Sequence, residues 1–133
     1  MNAKQRFIII DDDDGNNLLS KLAIQRVYDN IELMVFTEPA EGIEYIEKMY
    51  SRKQLPTTLF LDINMPGING WDIMGRLEKI RPPLGTNFIT YILSSSADRN
   101  DKERASSNKL IKGYIEKPLR NTISNLFKAG KVN

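Results

Sequence analysis

The sequence predicts an α/β fold: a five-stranded, doubly wound parallel sheet with helices on both faces. Three observations lead there. Short continuous apolar runs alternate five times with helix-like segments. Four of the five runs are rich in Ile, Val, Phe or Thr, as suits strands buried on both faces. Residues able to do chemistry recur just after the runs, and open α/β sheets gather ligands at the carboxyl ends of their strands.

The runs cover residues 7–10, 31–36, 58–61, 88–93 and 113–115. Leu18, Leu19, Leu22, Ile24 and Val27 mark a first helix, entered through Asn16 and Asn17. Ile43, Tyr45, Ile46 and Met49 mark a second, with Thr37 as cap and Pro39 in the first turn. Trp71, Ile73, Met74, Leu77 and Ile80 mark a third, packed through Trp71 and stopped by Arg81-Pro82-Pro83. A weakly apolar fourth spans about residues 100–108, and a fifth about 120–128 turns Ile123, Leu126 and Phe127 inward. Five βα units in succession imply right-handed crossovers and one sheet.

A chain of 133 residues, 41% hydrophobic and 27% charged, fits one globular domain with a real core. It has no cysteine, which excludes disulfides, thiolate zinc sites and a cysteine nucleophile. It has no histidine, which excludes a Ser-His-Asp triad, imidazole metal ligands and a phosphohistidine on this chain. The start of the chain shows no signal-peptide pattern and no apolar stretch reaches the ~18 residues of a membrane span, so a cytoplasmic protein is expected. The net charge of +2 conceals an asymmetry: residues 1–96 balance to −3 and residues 97–133 to +5. No recognition motif or aromatic interleaving accompanies the basic third, so no nucleic acid is expected as a partner.

Three segments carry the candidate chemistry. Ile8-Ile9-Ile10 runs into Asp11-Asp12-Asp13-Asp14, Leu59-Phe60-Leu61 into Asp62, and residue 115 is followed closely by Lys117-Pro118. Carboxylates at apolar strand ends are costly unless paired, and a hard divalent cation is their natural partner. Asp62 is the candidate nucleophile, because a carboxylate can accept a phosphoryl group when metal and cations neutralise its oxygens. Asp12, helped by Asp11, is expected to hold Mg²⁺, with Mn²⁺ as a substitute. Lys117 supplies positive charge opposite, and Ser94 a hydroxyl for the phosphoryl oxygens.

Ile-Ile-Ile-Asp-Asp-Asp (8–13), Leu-Asp-Ile-Asn-Met-Pro-Gly-Ile-Asn-Gly (61–70), Ile-Leu-Ser-Ser-Ser (92–96) and Gly-Tyr-Ile-Glu-Lys-Pro-Leu (113–119) stand in this order across the chain. In these four motifs the sequence resembles the response-regulator receiver domain of two-component signalling, of the single-domain chemotaxis-regulator type. The resemblance implies a flavodoxin-like (βα)5 fold with strand order 2-1-3-4-5. It implies one receiver domain over residues 1–133, with residues 129–133 a loose tail. Asp62 would be the phosphoacceptor, loaded by a sensor histidine kinase or a histidine phosphotransfer protein. The metal ligands would be Asp12 directly, Asp11 through water, Asp62, and the backbone carbonyl of Asn64. Ser94 matches the switch hydroxyl, Tyr114 the switch aromatic, and Lys117 the phosphate contact, with a cis peptide between Lys117 and Pro118. Ser96 stands where the family tunes dephosphorylation. Matching Asp11 and Asp12 to the family positions rests on register within a run of four aspartates, and Gly15 is placed in the loop that follows.

The expected function is a phosphorylation switch, not an enzyme with a separate substrate. Its fourth helix, fifth strand and fifth helix would change affinity for an unknown downstream protein, or the chain would pass the phosphoryl group onward. Nothing follows residue 133 in the sequence, so the readout is expected to be a separate protein, and the basic last third suggests an acidic partner surface. Two other readings stand beside it. Asp12-Asp13-Asp14-Gly15 resembles the Asp-x-Asp-Gly signature of haloacid-dehalogenase-type phosphatases, with Asp12 as nucleophile, although no late acidic pair follows Lys117. The third reading is an interaction module that keeps the fold but does not use phosphorylation. No membrane partner is expected.

Overall fold

The computed structural model describes residues 4–52, 55–80, 83–95 and 98–117. Five strands form one parallel sheet: β1 (Gln5–Ile10), β2 (Ile31–Phe36), β3 (Thr57–Asp62), β6 (Phe88–Ser94) and β7 (Ile111–Glu116). Between β3 and β6 lies a small antiparallel hairpin, β4 (Asn64–Met65) and β5 (Ile68–Asn69). The sheet order is β2-β1-β3-β6-β7, which is the expected 2-1-3-4-5 once the hairpin strands are set aside.

Side-chain alternation along the central strands builds two cores. Ile8, Ile10, Leu59, Leu61 and Ile92 face one way and are buried under α2 (Pro39–Arg52), α3 (Gly70–Glu78) and α4 (Arg99–Ser106). Phe7, Ile9, Phe60, Tyr91, Leu93 and Ile115 face the other way, against α1 (Asp14–Val27). With both faces covered, the central strands read as unbroken apolar runs rather than as an alternation.

The first helix forms where its apolar residues marked it, but most of them stay outside the core. Of the five apolar residues that marked it, only Ile24 is buried; Leu18 and Leu22 are 57% and 48% exposed, and Leu19 and Val27 also face water. The inward stripe is Asn17, Ser20, Ala23 and Ile24. Gly15 lies within the first turn of this helix rather than in a loop before it.

The other helices differ mainly at their ends. In α2, Ile43, Ile46 and Tyr50 are buried, and Pro39 is the first helical residue. The Glu38 carbonyl accepts the first helical bond from Gly42, so Glu38 rather than Thr37 flanks this helix. The third helix ends at Glu78, with Lys79 as its C-cap and Ile80 buried just beyond. Arg81 and Pro82, the expected stop, lie outside the described residues, as do the fifth helix, Ser96, Pro118 and residues 129–133.

The Asp62–Gly70 connection is shaped by two glycines. Pro66-Gly67 makes the hairpin turn, with Gly67 at φ +77, a conformation other residues rarely adopt. A Cβ on Gly70 would lie 2.5 Å from Ile63 Cα, so only glycine lets the loop fold back onto the start of α3. Asn69 then caps that helix, accepting from Trp71 N–H at 2.7 Å.

Candidate phosphoryl and metal site

Parallel pairing brings the distant acids together. Ile10 lies in register with Leu61, so Asp11 and Asp62 leave neighbouring strands side by side. These strands flank the point where the sheet order reverses, and Asp11 N–H is anchored to the Phe36 carbonyl at 3.1 Å. Lys117 follows β7, two strands away from β3, and its N–H is fixed to the Ser94 carbonyl at 2.9 Å. Its side chain reaches across to both acids.

The two buried carboxylates are bound alike. One oxygen of each turns to its own loop: Asp11 Oδ1 accepts from Asp13 N–H and Asp62 Oδ1 from Asn64 N–H, both at 2.9 Å. The other oxygen meets the ammonium: Lys117 Nζ lies 3.2 Å from Asp11 Oδ2 and 3.0 Å from Asp62 Oδ2. Both acids are 1% exposed. One lysine charge therefore faces two buried carboxylates, and the exposed carboxylate of Asp12 completes a group whose oxygens lie within 4.8 Å of one another.

Burial pushes the Asp11 carboxyl up to about 6; the charge of Asp62 adds to the rise, while Asp13 N–H and Lys117 oppose it. For Lys117 burial acts downward, but its contacts with Asp62 and Asp11 outweigh that and hold the ammonium above its ordinary range. The surplus of negative oxygen ligands is what a hard divalent cation accepts, so this donor set fits Mg²⁺.

The four aspartates divide the work. Asp11 and Asp12 belong to the acidic group, whereas Asp13 caps α1 by accepting from Asn16 N–H at 2.9 Å. Asp14 opens the helix, where negative charge is favoured. Within the run, the acidic group and the helix cap thus fall on different residues.

Above the acids opens a cleft of about 540 Å³, lined by Asp12, Asp13, Asn16, Asp62, Asn64 and Lys117 among others. Ser94 sits fully buried at the end of β6, its Oγ donating to Asn64 Oδ1 at 2.9 Å. Asp11, Asp12, Asp62, Asn64, Ser94 and Lys117 thus converge as expected from their motifs. Tyr114 does not join them: it lines a small groove with Lys102 and Lys112 between α4 and β7. Lys102 Nζ stands 5.8 Å from the centre of its ring.

Three contributors were missed in the sequence. Ser95 lines the cleft. Asn17, buried on α1, donates through Nδ2 to the Asp11 carbonyl at 2.8 Å and holds the acidic turn against the helix. The Asn64 side chain engages Ser94, where only its backbone carbonyl was expected to act. No local sequence signal marked these three, and Asn17 is inward only because of the face that α1 turns to the sheet.

A family model for the response regulator receiver domain matches residues 7–129. The chain is a response regulator receiver domain. Among curated proteins it is 34% identical over 86 residues to the sensory transduction protein LytT of Bacillus subtilis, covering 64% of this chain and 33% of that one. The receiver thus spans about a third of that relative's length. Among solved structures, a two-component response regulator from Cytophaga hutchinsonii is 30% identical, with a TM-score of 0.81 and coverage of 94% of this chain and 95% of that one. The receiver domain of the histidine kinase CKI1 from Arabidopsis thaliana, complexed with Mg²⁺ and BeF3⁻, superposes with a TM-score of 0.77 at 14% identity. That match covers 93% of this receiver and 87% of that chain, and it speaks for the fold alone. None of the receiver's described helices is long and apolar enough to cross a membrane.

Proposed function

We propose that this receiver takes a phosphoryl group from a phosphohistidine onto Asp62 and uses it to switch a binding face. The observation that carries the reading is Lys117 Nζ bridging Asp11 and Asp62 beneath a cleft edged by Asp12. A nucleophilic carboxylate, a cation for the incoming anion and a surplus of acidic ligands are what acyl-phosphate formation requires.

A carboxylate oxygen of Asp62 attacks phosphorus. The new P–O bond forms as the P–N bond breaks, and the electron pair returns to the imidazole nitrogen of the donor. Asp11, Asp12 and Asp62, with the Asn64 carbonyl, would hold Mg²⁺ (or Mn²⁺), which when bound supplies charge neutralisation for the phosphoryl oxygens. Lys117 moves its hydrogen bonds from the carboxylates to a phosphoryl oxygen, and Ser94 donates to another.

The readout is the face built on α4 and β7, where Tyr114 is half-buried. The donor is a sensor histidine kinase or a histidine phosphotransfer protein, and a further protein reads the switched face or receives the phosphoryl group. The domain acts in the cytoplasm, with no nucleic-acid or membrane partner, and its only reactions are the gain and loss of its own phosphoryl group.

Intact-mass spectrometry after incubation with acetyl phosphate and Mg²⁺ tests this reading. One phosphoryl adduct is expected, absent from Asp62→Asn and absent without metal. An adduct that survives Asp62→Asn but not Asp12→Asn would transfer the nucleophile to Asp12, and no adduct at all would leave an interaction module that does not use phosphorylation.

A further inference from the structure

The Ser94 hydroxyl is engaged before any phosphoryl group arrives. It donates to Asn64 Oδ1 at 2.9 Å, two residues beyond the phosphoacceptor. Asn64 is exposed, so its carboxamide could be satisfied by water; Ser94 is fully buried, so its hydroxyl needs a protein partner. The acceptor is held in place. Asn64 N–H is bonded to Asp62 Oδ1, and Asn64 is paired with Asn69 in the hairpin.

A serine hydroxyl has one proton to donate. Whatever accepts it competes with any other oxygen that needs it. We propose that the Asn64 carboxamide is a brake on the switch: in the resting state it accepts the Ser94 proton, and it must be displaced before Ser94 can donate to a phosphoryl oxygen on Asp62. This inference rests on the phosphoacceptor reading of Asp62 and adds a positioning residue to it. The Asn64 side chain acts through Ser94, whereas its backbone carbonyl belongs to the metal site.

A neutral hydrogen bond is worth roughly two- to tenfold in an equilibrium. Asn64→Ala removes the competing acceptor and keeps the backbone carbonyl. Titration of the full chain with beryllofluoride, a phosphoryl mimic, in the presence of Mg²⁺ should therefore show Asn64→Ala binding about two- to tenfold more tightly than wild type. In a Ser94→Ala background the same change should have no effect, because no hydroxyl remains to be released. A metal-free readout accompanies it: the ¹⁵N resonance of the Asn64 side-chain amide should move in Ser94→Ala.

Unchanged or weaker binding by Asn64→Ala overturns the brake. So does an equal gain with and without Ser94, or an Asn64 amide resonance indifferent to Ser94→Ala. If wild type binds no beryllofluoride at all, the phosphoacceptor reading falls and the brake with it. Binding by wild type without a response to Asn64→Ala removes only the brake.

Discussion

Asp11 and Lys117 show how a buried charge imbalance becomes a measurable property. The folded Asp11 carboxyl titrates at about 6, against 3.8 for the unperturbed group. Between those values the folded state binds more protons than the unfolded chain, so this group's contribution to stability is present at low pH and is lost as pH rises through about 6. Metal-free protein should therefore lose on the order of 2 kcal/mol from this group between pH 4 and pH 7. Urea unfolding across that range should show the slope in wild type and a flatter one in Asp11→Asn. Saturating Mg²⁺ should offset the loss, because the cation favours the carboxylate that the proton neutralises. A slope identical in the two proteins would mean that Asp11 titrates as an ordinary carboxylate.

At the scale of elements, α1 and the α3–α4 pair each make a prediction. Ile24 is fully buried against the sheet, whereas Leu22 is 48% exposed on the same helix. Ile24→Ala should cost about 2–5 kcal/mol in chemical unfolding and Leu22→Ala less than about 1 kcal/mol, the reverse of what a leucine-rich helix suggests. Trp71, the chain's single tryptophan, donates from Nε1 to Asp101 Oδ1 at 3.0 Å and lies under the Arg104 guanidinium at 4.8 Å. It therefore ties α3 to α4 as well as packing in the core. Asp101→Ala should cost about 0.5–1.5 kcal/mol, with Trp71 fluorescence shifting to the red as the indole N–H turns to water. An unchanged spectrum would place that tie outside the solution structure.

At the scale of the whole molecule, a cation held by the acidic group would couple its binding to folding. The buried carboxylates repel each other with Lys117, among the described residues, as the cation between them, so a ligand that neutralises them stabilises the folded state by mass action. Mg²⁺ at a hundred times its Kd should add about 2.7 kcal/mol and raise Tm by on the order of 10 °C, reversibly with chelator. Asp12→Asn should remove most of that gain with little effect on the metal-free Tm, because Asp12 is exposed and not among the buried side chains. A metal-independent Tm in wild type would remove the cation from the site.

The sequence by itself determined the sheet and its order of elements. Apolar runs such as Ile8-Ile9-Ile10 and Leu59-Phe60-Leu61 are strands because a doubly covered sheet leaves them no polar face. It also placed Asp11, Asp12, Asp62, Ser94 and Lys117 at or just beyond strand ends, because each follows an apolar run that a buried strand accounts for. Only the tertiary structure decided which face of α1 turns inward, because Asn17 and Ser20 are drawn to the sheet by the acidic turn and by close packing, against their hydropathy. It alone divided the four aspartates into acidic group, cap and helix start, and it alone brought the Asn64 side chain onto Ser94. Contacts across 30 residues depend on how the hairpin folds over the end of β6, and no local pattern in the chain encodes that approach.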